Sequence, residues 1–241
     1  MTLPEIKGFL ELSFSDWPGR MASVVFLPGC SFRCPYCHNH RLVTEPGSLA
    51  SWPPHEVFAR LERLAGWVDG VCITGGEPTL HPGLAALLER FRSQGLAVKL
   101  DTNGSRPSVV EALLAQGLVD AVSLDVKAPL EPVPYRRNAG VGSAADAVGR
   151  TLEILLDSRL PLEVRTTVHP ALLSLDELLR LAGDLGRRTA GRSPRVRWTL
   201  QRCRTDQTLD PALQDIPPLP PEAFERWQES ALEAFAEAAR G

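Results

Sequence analysis

The hydrophobic and polar positions of the chain follow two alternating periods, one typical of buried strands and one of amphipathic helices. Short apolar runs predict six strands, at 22–27, 71–74, 97–101, 121–126, 162–168 and 195–200. Apolar residues at helical spacing between these runs predict helices at 54–66, 81–94, from about 107 onward, and at 144–157, with a Pro-rich loop at 129–134. Ser174 and Glu177 have the spacing of a capping box, which predicts the start of a further helix.

Strands that alternate with helices pair in parallel through right-handed crossovers. The pattern therefore predicts an α/β protein, either a partial barrel or an open doubly wound sheet. In both folds, ligand sites gather at the C-terminal ends of the strands. We expect one domain over 1–241, with a core at about 20–202. The segment 203–241 is Pro-rich and ends in a helix, whose apolar stripe we interpret as a packing face.

Composition and charge exclude several classes of function. With 44% hydrophobic and 23% charged residues among 241, the chain has an ordinary globular composition. Its net charge of −3 comes without a dense basic run, so a nucleic-acid partner has little electrostatic support. No apolar run approaches a membrane span, and the N-terminus does not resemble a signal peptide. We therefore expect a cytoplasmic protein with no membrane partner.

Three of the five cysteines fall within eight residues, after the first predicted strand. Cys30, Cys34 and Cys37 have the spacing C-x3-C-x2-C, which a disulfide framework explains poorly. Three thiolates in one loop can hold three irons of a [4Fe–4S] cluster and leave the fourth iron open to a ligand. The same spacing also suits structural zinc, with His38 or His40 as fourth ligand. The spacing favours the cluster without excluding zinc.

Two glycines and an acidic residue follow the second predicted strand. Gly75 and Gly76 allow the backbone to approach a ligand closely, and Glu77 offers an acceptor for a ligand ammonium group. A routine turn from strand to helix would have the same residues.

The fourth predicted strand has a polar face near its C-terminal end. Ser123, Asp125 and Lys127 share this face because side chains alternate along a strand. This arrangement suits a ligand site, but a buried salt bridge of Asp125 with Lys127 or Lys99 would explain it too.

Arg165 lies on the polar face of the fifth predicted strand, with Glu163 and Thr167. Its guanidinium group is suited to a ligand carboxylate. The alternative is a structural ion pair with Glu163 or Asp125.

The cysteine spacing, with the aromatic Tyr36 directly before Cys37, resembles the signature of the radical S-adenosylmethionine (SAM) superfamily. Cys-His-Asn at 37–39 is similar to the glycyl-radical-enzyme activating proteins. The segments 8–20, 71–80 and 165–167 resemble one group of these, the activators of anaerobic ribonucleoside-triphosphate reductase. The resemblance implies a partial (β/α)6 TIM-like barrel of parallel strands with a C-terminal helix. It also implies a [4Fe–4S] cluster on the three cysteines, reduced by flavodoxin or ferredoxin. SAM cleavage would then produce a radical that forms a glycyl radical on a partner, the anaerobic (class III) ribonucleotide reductase.

The resemblance also implies roles for individual residues. The residues implied to bind the cofactor are Tyr36, Gly75, Gly76, Glu77, Asn103, Lys127 and Arg165. Similar segments in the activating enzymes of pyruvate formate-lyase imply a monovalent cation beside the cofactor, with ligands Asp101, Thr102, Ser123 and Asp125. Two other functions stay open: a small-molecule radical enzyme similar to 7-carboxy-7-deazaguanine synthase, and a non-enzymatic zinc-binding module.

Overall fold

A computed structural model describes residues 2–142, 144–192 and 196–240. Within these residues, seven strands form a sheet whose strand order follows chain order. The strands are β1 (Gly8–Ser13), β2 (Ala22–Leu27), β3 (Gly70–Gly75), β4 (Ala97–Thr102), β5 (Ala121–Asp125), β6 (Leu162–Val168) and β7 (Val196–Arg202). The helices are α1 (His40–Thr44), α2 (Pro54–Arg63), α3 (Leu84–Ser93), α4 (Pro107–Ala115), α5 (Pro132–Ala139), α6 (Ala144–Ser158), α7 (Leu175–Thr189) and α8 (Pro221–Arg240). No helix in the described residues is both long and apolar enough to cross a bilayer.

The six predicted strands correspond to β2 through β7, and the predicted first residue of the last one, Arg195, lies outside the described residues. Parallel pairing joins β2 to β3, β3 to β4 and β6 to β7, as predicted. Strand β1, which pairs antiparallel with β2, was not predicted. Both sets of alternating residues in β1 contain large apolar side chains, so the segment lacks a clear polar face.

The contacts divide the chain into two compact units. The first comprises the described residues of 1–31, 39–102 and 108–123. Its strands β2, β3 and β4 are almost wholly buried, as expected for parallel strands covered on both faces, and β2 and β3 are mainly apolar. Helices α2 and α3 meet through an edge-to-face contact between Phe58 and Phe91, whose ring centroids are 5.4 Å apart. This core fixes the ends of three strands, where the candidate residues of this unit lie.

The second unit comprises the described residues of 32–38, 103–107 and 124–241. Its helix α5 begins inside the stretch 129–134, so the prediction of a loop there was wrong in part. Pro132 occupies the first turn, where a missing N–H costs nothing, and its fixed φ suits a helix. Gly140 ends the helix in the left-handed conformation, with φ 69°. Proline therefore starts a helix here, where we had expected it only to prevent one.

The predicted capping box at the start of α7 is confirmed, with the hydroxyl of Ser174 accepting from the backbone N–H of Glu177. Helix α8 packs against α7 and β7 through its apolar stripe. Its Phe235 ring lies 5.7 Å from the ring of Trp198, and Ala231 is fully buried. The interpretation of this stripe as a packing face is therefore supported.

Gly186 of α7 is a sensitive point of this contact. A Cβ there would lie 2.5 Å from the carbonyl oxygen of Phe235 and 2.6 Å from the Cβ of Ala238. We expect Gly186→Ala to lower the free energy of unfolding by about 2 kcal/mol, measured by urea denaturation, because α8 must shift. On the same helix, a Cβ at Gly183 meets only the flexible end of Arg187, so Gly183→Ala should stabilise by up to about 1 kcal/mol. Equal effects of the two substitutions would contradict this packing.

Candidate active site

The loop that carries Cys30 is fixed by backbone contacts. Gly29 has φ 75°, donates its N–H to the carbonyl of Leu42 at 2.8 Å and accepts from the N–H of Glu77 at 2.7 Å. A Cβ on Gly76 would lie 1.7 Å from the carbonyl oxygen of Gly29, closer than any contact allows. Glycine at 76 is therefore required by the close approach of the two loops, and a routine turn would not require it.

Two side chains strengthen the same contact. The Nδ2 of Asn39, from the Cys-His-Asn segment, donates to the carbonyl of Gly75 at 3.2 Å. The Nε2 of His81 lies 2.8 Å from the carbonyl oxygen of Pro28 and must carry the proton to donate there. Both ends of the segment 28–39 thus bond to the stretch 75–81. Sequence analysis did not assign a role to His81, which has no motif spacing.

In the second unit, helix α5 supports the segment that carries Cys34 and Cys37. The N–H of Arg33 donates to the carbonyl of Ala139 at 2.9 Å, and the Sγ of Cys34 lies 4.0 Å from the same oxygen. A Cβ on Gly140 would lie 2.2 Å from the carbonyl oxygen of Arg33. The N–H of Cys37 closes a turn onto the carbonyl of Cys34 at 2.9 Å. The buried position of Cys34 therefore depends on the C-terminal end of α5.

Within the described residues, no three His, Cys, Asp or Glu side chains form a group that could hold a metal ion. His38, a candidate zinc ligand, is exposed, and its Nδ1 lies 3.2 Å from the carbonyl oxygen of Gln207. His40 is the first residue of α1. Assigning a [4Fe–4S] cluster to the three cysteines thus depends on the chemistry of the donors, since thiolates are the ligands that iron–sulfur clusters prefer.

Tyr36 supplies an observation that points to a ligand. Its side chain is buried, yet its hydroxyl has no hydrogen-bond partner in the described part of the chain. Burial raises the pKa of Tyr36 well above its ordinary value, so the hydroxyl stays protonated. The Nζ of Lys127 lies 5.8 Å from the centroid of its ring. Buried polar atoms nearly always have a partner, so this hydroxyl is a candidate contact for a bound molecule.

Glu77 is fully buried, and its orientation is set within the first unit. Its Oε1 accepts from the N–H of Thr79 at 3.0 Å, from the hydroxyl of Thr79, and from the hydroxyl of Thr102 at 2.8 Å. The carboxylate thereby caps the 3₁₀ helix Pro78–Leu80. The carboxylate is thus held in one orientation, and its predicted role as an acceptor for a ligand ammonium group stays a prediction.

Asp125 joins Lys127 and Arg165 in one network of the second unit. Its Oδ1 lies 2.9 Å from the Nε of Arg165, and its Oδ2 lies 3.0 Å from the Nζ of Lys127. Burial acts to raise the pKa of Asp125, but Arg165 and Lys127 outweigh it and hold that pKa well below its usual range. Two of the ion pairs that we considered as structural alternatives, Asp125 with Lys127 and Asp125 with Arg165, are therefore present, whereas Lys99 pairs with Asp101. Because two cations share one carboxylate, the three side chains together carry one net positive charge, which suits an anionic ligand group.

The remaining predicted site residues lie near the ends of β4 and β5. Asp101 forms a buried ion pair with Lys99, and Ser123 is fully buried. The Oδ1 of Asn103 accepts from the N–H of Ser105 at 2.9 Å, which shapes the loop after β4. The roles of these residues toward a cofactor or cation stay predictions.

Comparison with known proteins decides the family. The model of the Radical SAM superfamily matches residues 24–188. The chain belongs to the radical SAM superfamily. This membership identifies it as an enzyme, so the reading as a non-enzymatic zinc module is not supported.

Two curated relatives show which members of this superfamily the chain is similar to. A candidate glycyl-radical enzyme activating enzyme from Methanocaldococcus jannaschii is 30% identical over 182 residues, which span 73% of each chain. A 7-carboxy-7-deazaguanine synthase from Methanopyrus kandleri is 35% identical over 136 residues, which span 46% of this chain and 51% of the relative. The first of these relatives confirms the predicted resemblance to glycyl-radical-enzyme activating proteins.

Among solved structures, Streptococcus suis SuiB bound to S-adenosylmethionine matches 89% of this chain and 49% of its own, with a TM-score of 0.64 and 16% identity. At that identity the likeness shows the fold alone. It confirms the predicted fold class, an α/β protein built on parallel strands.

Gly140 tests whether α5 fixes the cysteine segment. Gly140→Ala introduces a Cβ against Arg33 at φ 69°, whereas Gly117→Ala introduces one at φ 64° with nothing within 4 Å. Both variants have similar backbone strain, about 1 kcal/mol. We expect only Gly140→Ala to speed alkylation of Cys34, by about tenfold, followed by peptide mass spectrometry under reducing conditions. Equal rates in the two variants would mean that α5 does not control access to Cys34.

Proposed function

We propose that this enzyme is an activase that generates a glycyl radical on a partner enzyme, the anaerobic ribonucleotide reductase. This chain is a member of the radical SAM superfamily. The observation that carries the proposal is its C-x3-C-x2-C loop, whose first part is fixed against Gly76. The relative that aligns over 73% of both chains and is named for glycyl-radical activation supports the partner class. Flavodoxin or ferredoxin is the expected electron donor.

The cysteines Cys30, Cys34 and Cys37 would hold a [4Fe–4S] cluster through three of its irons. A cluster held there, together with SAM, would supply the reductive radical chemistry for hydrogen abstraction from the target glycine. The side chains of the protein would bind and orient SAM and exclude water from the site. No side chain has to act as a general acid or base.

The remaining side chains are suited to the polar groups of SAM. The carboxylate of Glu77 would accept a hydrogen bond from the ammonium group of the methionine part. The net positive charge around Lys127 and Arg165 would attract its carboxylate, with Arg165 as a planar donor. The unpartnered hydroxyl of Tyr36 would meet the adenosine part. Asn103 is proposed for the same part, from the family resemblance alone.

A second candidate function is a small-molecule radical enzyme. The deazaguanine-synthase relative, at 35% identity over 136 residues, favours it. Such an enzyme would form the same radical but act on a small heterocycle and need no protein substrate. Electron paramagnetic resonance of the partner protein separates the two.

The reductase is incubated anaerobically with reconstituted enzyme, SAM and a reductant. We expect a glycyl radical signal on the reductase. Cys34→Ala should abolish the signal, the SAM cleavage and the binding of about four irons per chain. Cys203→Ala is the matched control and should retain all three, because burial raises the pKa of the Cys203 thiol to about 11 and makes it a poor ligand.

Cleavage of SAM without a radical on the reductase would transfer the assignment to another glycyl-radical enzyme or to a small molecule. Iron binding by Cys34→Ala equal to that of the wild type would contradict the ligand assignment itself.

Lys127 is expected to act on the cofactor and not on the cluster. Lys127→Ala leaves Asp125 paired with Arg165, so the network loses its net positive charge but its carboxylate stays paired. We expect SAM affinity to fall about tenfold, roughly 1.4 kcal/mol, in equilibrium dialysis, with iron content unchanged. Lys127→Arg keeps the charge and should lose less. Unchanged affinity in Lys127→Ala would give Lys127 a structural role only.

A further inference from the structure

We propose that Lys99 is a built-in ammonium ion that takes the place of the monovalent cation predicted beside Asp101, so that this enzyme binds its cofactor without a dissolved cation. The proposal rests on the proposed function for the location of the cofactor. It contradicts the cation that the family resemblance implied for the chain.

The first observation is the position of Lys99. Lys99 and Asp101 lie two residues apart on β4, so their side chains share one face of the strand. The two side chains are only 3% and 6% exposed, and the Nζ forms an ion pair with Oδ1 of Asp101. The same Nζ lies 3.8 Å from the Sγ of Cys72 on β3, a weak acceptor. A lysine this deeply buried is rare unless its charge is paired.

An ammonium group can do what a monovalent cation does at a carboxylate. It carries one positive charge on a compact centre and presents three donors in adjustable directions. Unlike a dissolved ion, it is tethered, so it loses little translational entropy on binding. A second cation beside the same carboxylate would face the ammonium at short range in a site of low polarity, where like charges repel strongly. The residues at Asp101 therefore do not fit a further cation.

Two of the other three predicted cation ligands, Thr102 and Asp125, are engaged as well. Thr102 donates its hydroxyl hydrogen to Glu77. In the second unit, both oxygens of Asp125 are bonded by cationic side chains, those of Lys127 and Arg165. Each carboxylate of the predicted set thus has its counter-charge supplied by a side chain of the chain itself.

A purely structural ion pair is the alternative, because buried pairs often serve folding alone. The two cases differ once the ammonium is removed. If Lys99 stands in for an ion, a small cation should enter and restore what was lost. If the pair is only structural, the uncompensated carboxylate should stay costly in every salt.

The test is the unfolding temperature of the whole chain in choline, sodium, potassium and ammonium chloride at equal ionic strength. Wild type should unfold at one temperature in all four salts. Lys99→Met keeps the apolar stem but removes the charge, and it should unfold about 5–10 °C lower in choline chloride. Sodium, potassium or ammonium chloride should restore about 3–6 °C of this loss at ten times the dissociation constant of the ion.

Three variants sharpen the result. Lys99→Arg retains a charge and should show no cation response. Lys99→Met combined with Asp101→Asn removes both charges and should fold without responding to cations, which locates the effect at Asp101. Lys7→Met breaks another lysine–carboxylate pair, with Glu5, and should be equally insensitive to the type of salt. A Lys99→Met protein whose unfolding temperature is the same in all four salts, or a wild type that needs one of these cations, would overturn the proposal.

Equilibrium dialysis of SAM with the reconstituted protein gives a second readout. Lys99→Met should bind SAM about tenfold more weakly in choline chloride and regain affinity in the cation that restores its unfolding temperature. If the wild type does not bind SAM at all, the proposed function fails. The unfolding temperatures would still decide the role of Lys99.

Discussion

The contact between the carbonyl of Gly29 and the backbone of Gly76 is the constraint on which the site depends. Any side chain at 76 would collide with that oxygen, and the neighbouring N–H of Glu77 bonds to the same atom. One carbonyl therefore fixes the start of the cysteine loop and the start of the acidic turn together. Both loops directly follow buried parallel strands, so the packed core of the first unit holds their first residues in place. This contact fixes the backbone of Glu77, and hydrogen bonds from Thr79 and Thr102 orient its carboxylate.

The other half of the cysteine segment has a different support. Residues 32–38 bond to the end of α5, where Ala139 accepts from Arg33 and Gly140 has no room for a side chain. A glycine again permits a close backbone approach, as at position 76. Both contacts are made by backbone atoms, which cannot adopt alternative rotamers, so the positions of Cys30 and Cys34 depend little on side-chain packing. Ligands of a cluster need this kind of rigidity.

The strands and the cysteine loop could be predicted from the sequence, but the contacts that hold this loop in place could not. Strands β2 to β7 were predicted from short runs rich in apolar residues, and the cysteine spacing stands out because it is local. Helix α5 was missed because a stretch with three prolines indicates a loop unless Pro132 is recognised as a first-turn residue. The role of His81 could not be predicted, since its partner, the carbonyl of Pro28, lies 53 residues away in the chain. Long-range backbone contacts leave no periodic signal.

The ion pairs show what kind of charge this fold requires. The chain has only three lysines among its 26 basic residues, yet all three are paired with a carboxylate two positions away: Glu5 with Lys7, Lys99 with Asp101, and Asp125 with Lys127. The side chains of the three lysines are at most 11% exposed. Arginine also pairs with a carboxylate in this chain, as Arg165 does with Asp125, but lysine supplies a more compact point charge. Since a buried lysine costs desolvation that its pair must offset, its persistence in an arginine-rich chain indicates that a point charge is needed at these places. At β4 that point charge is paired with the carboxylate for which the family resemblance had implied a monovalent cation.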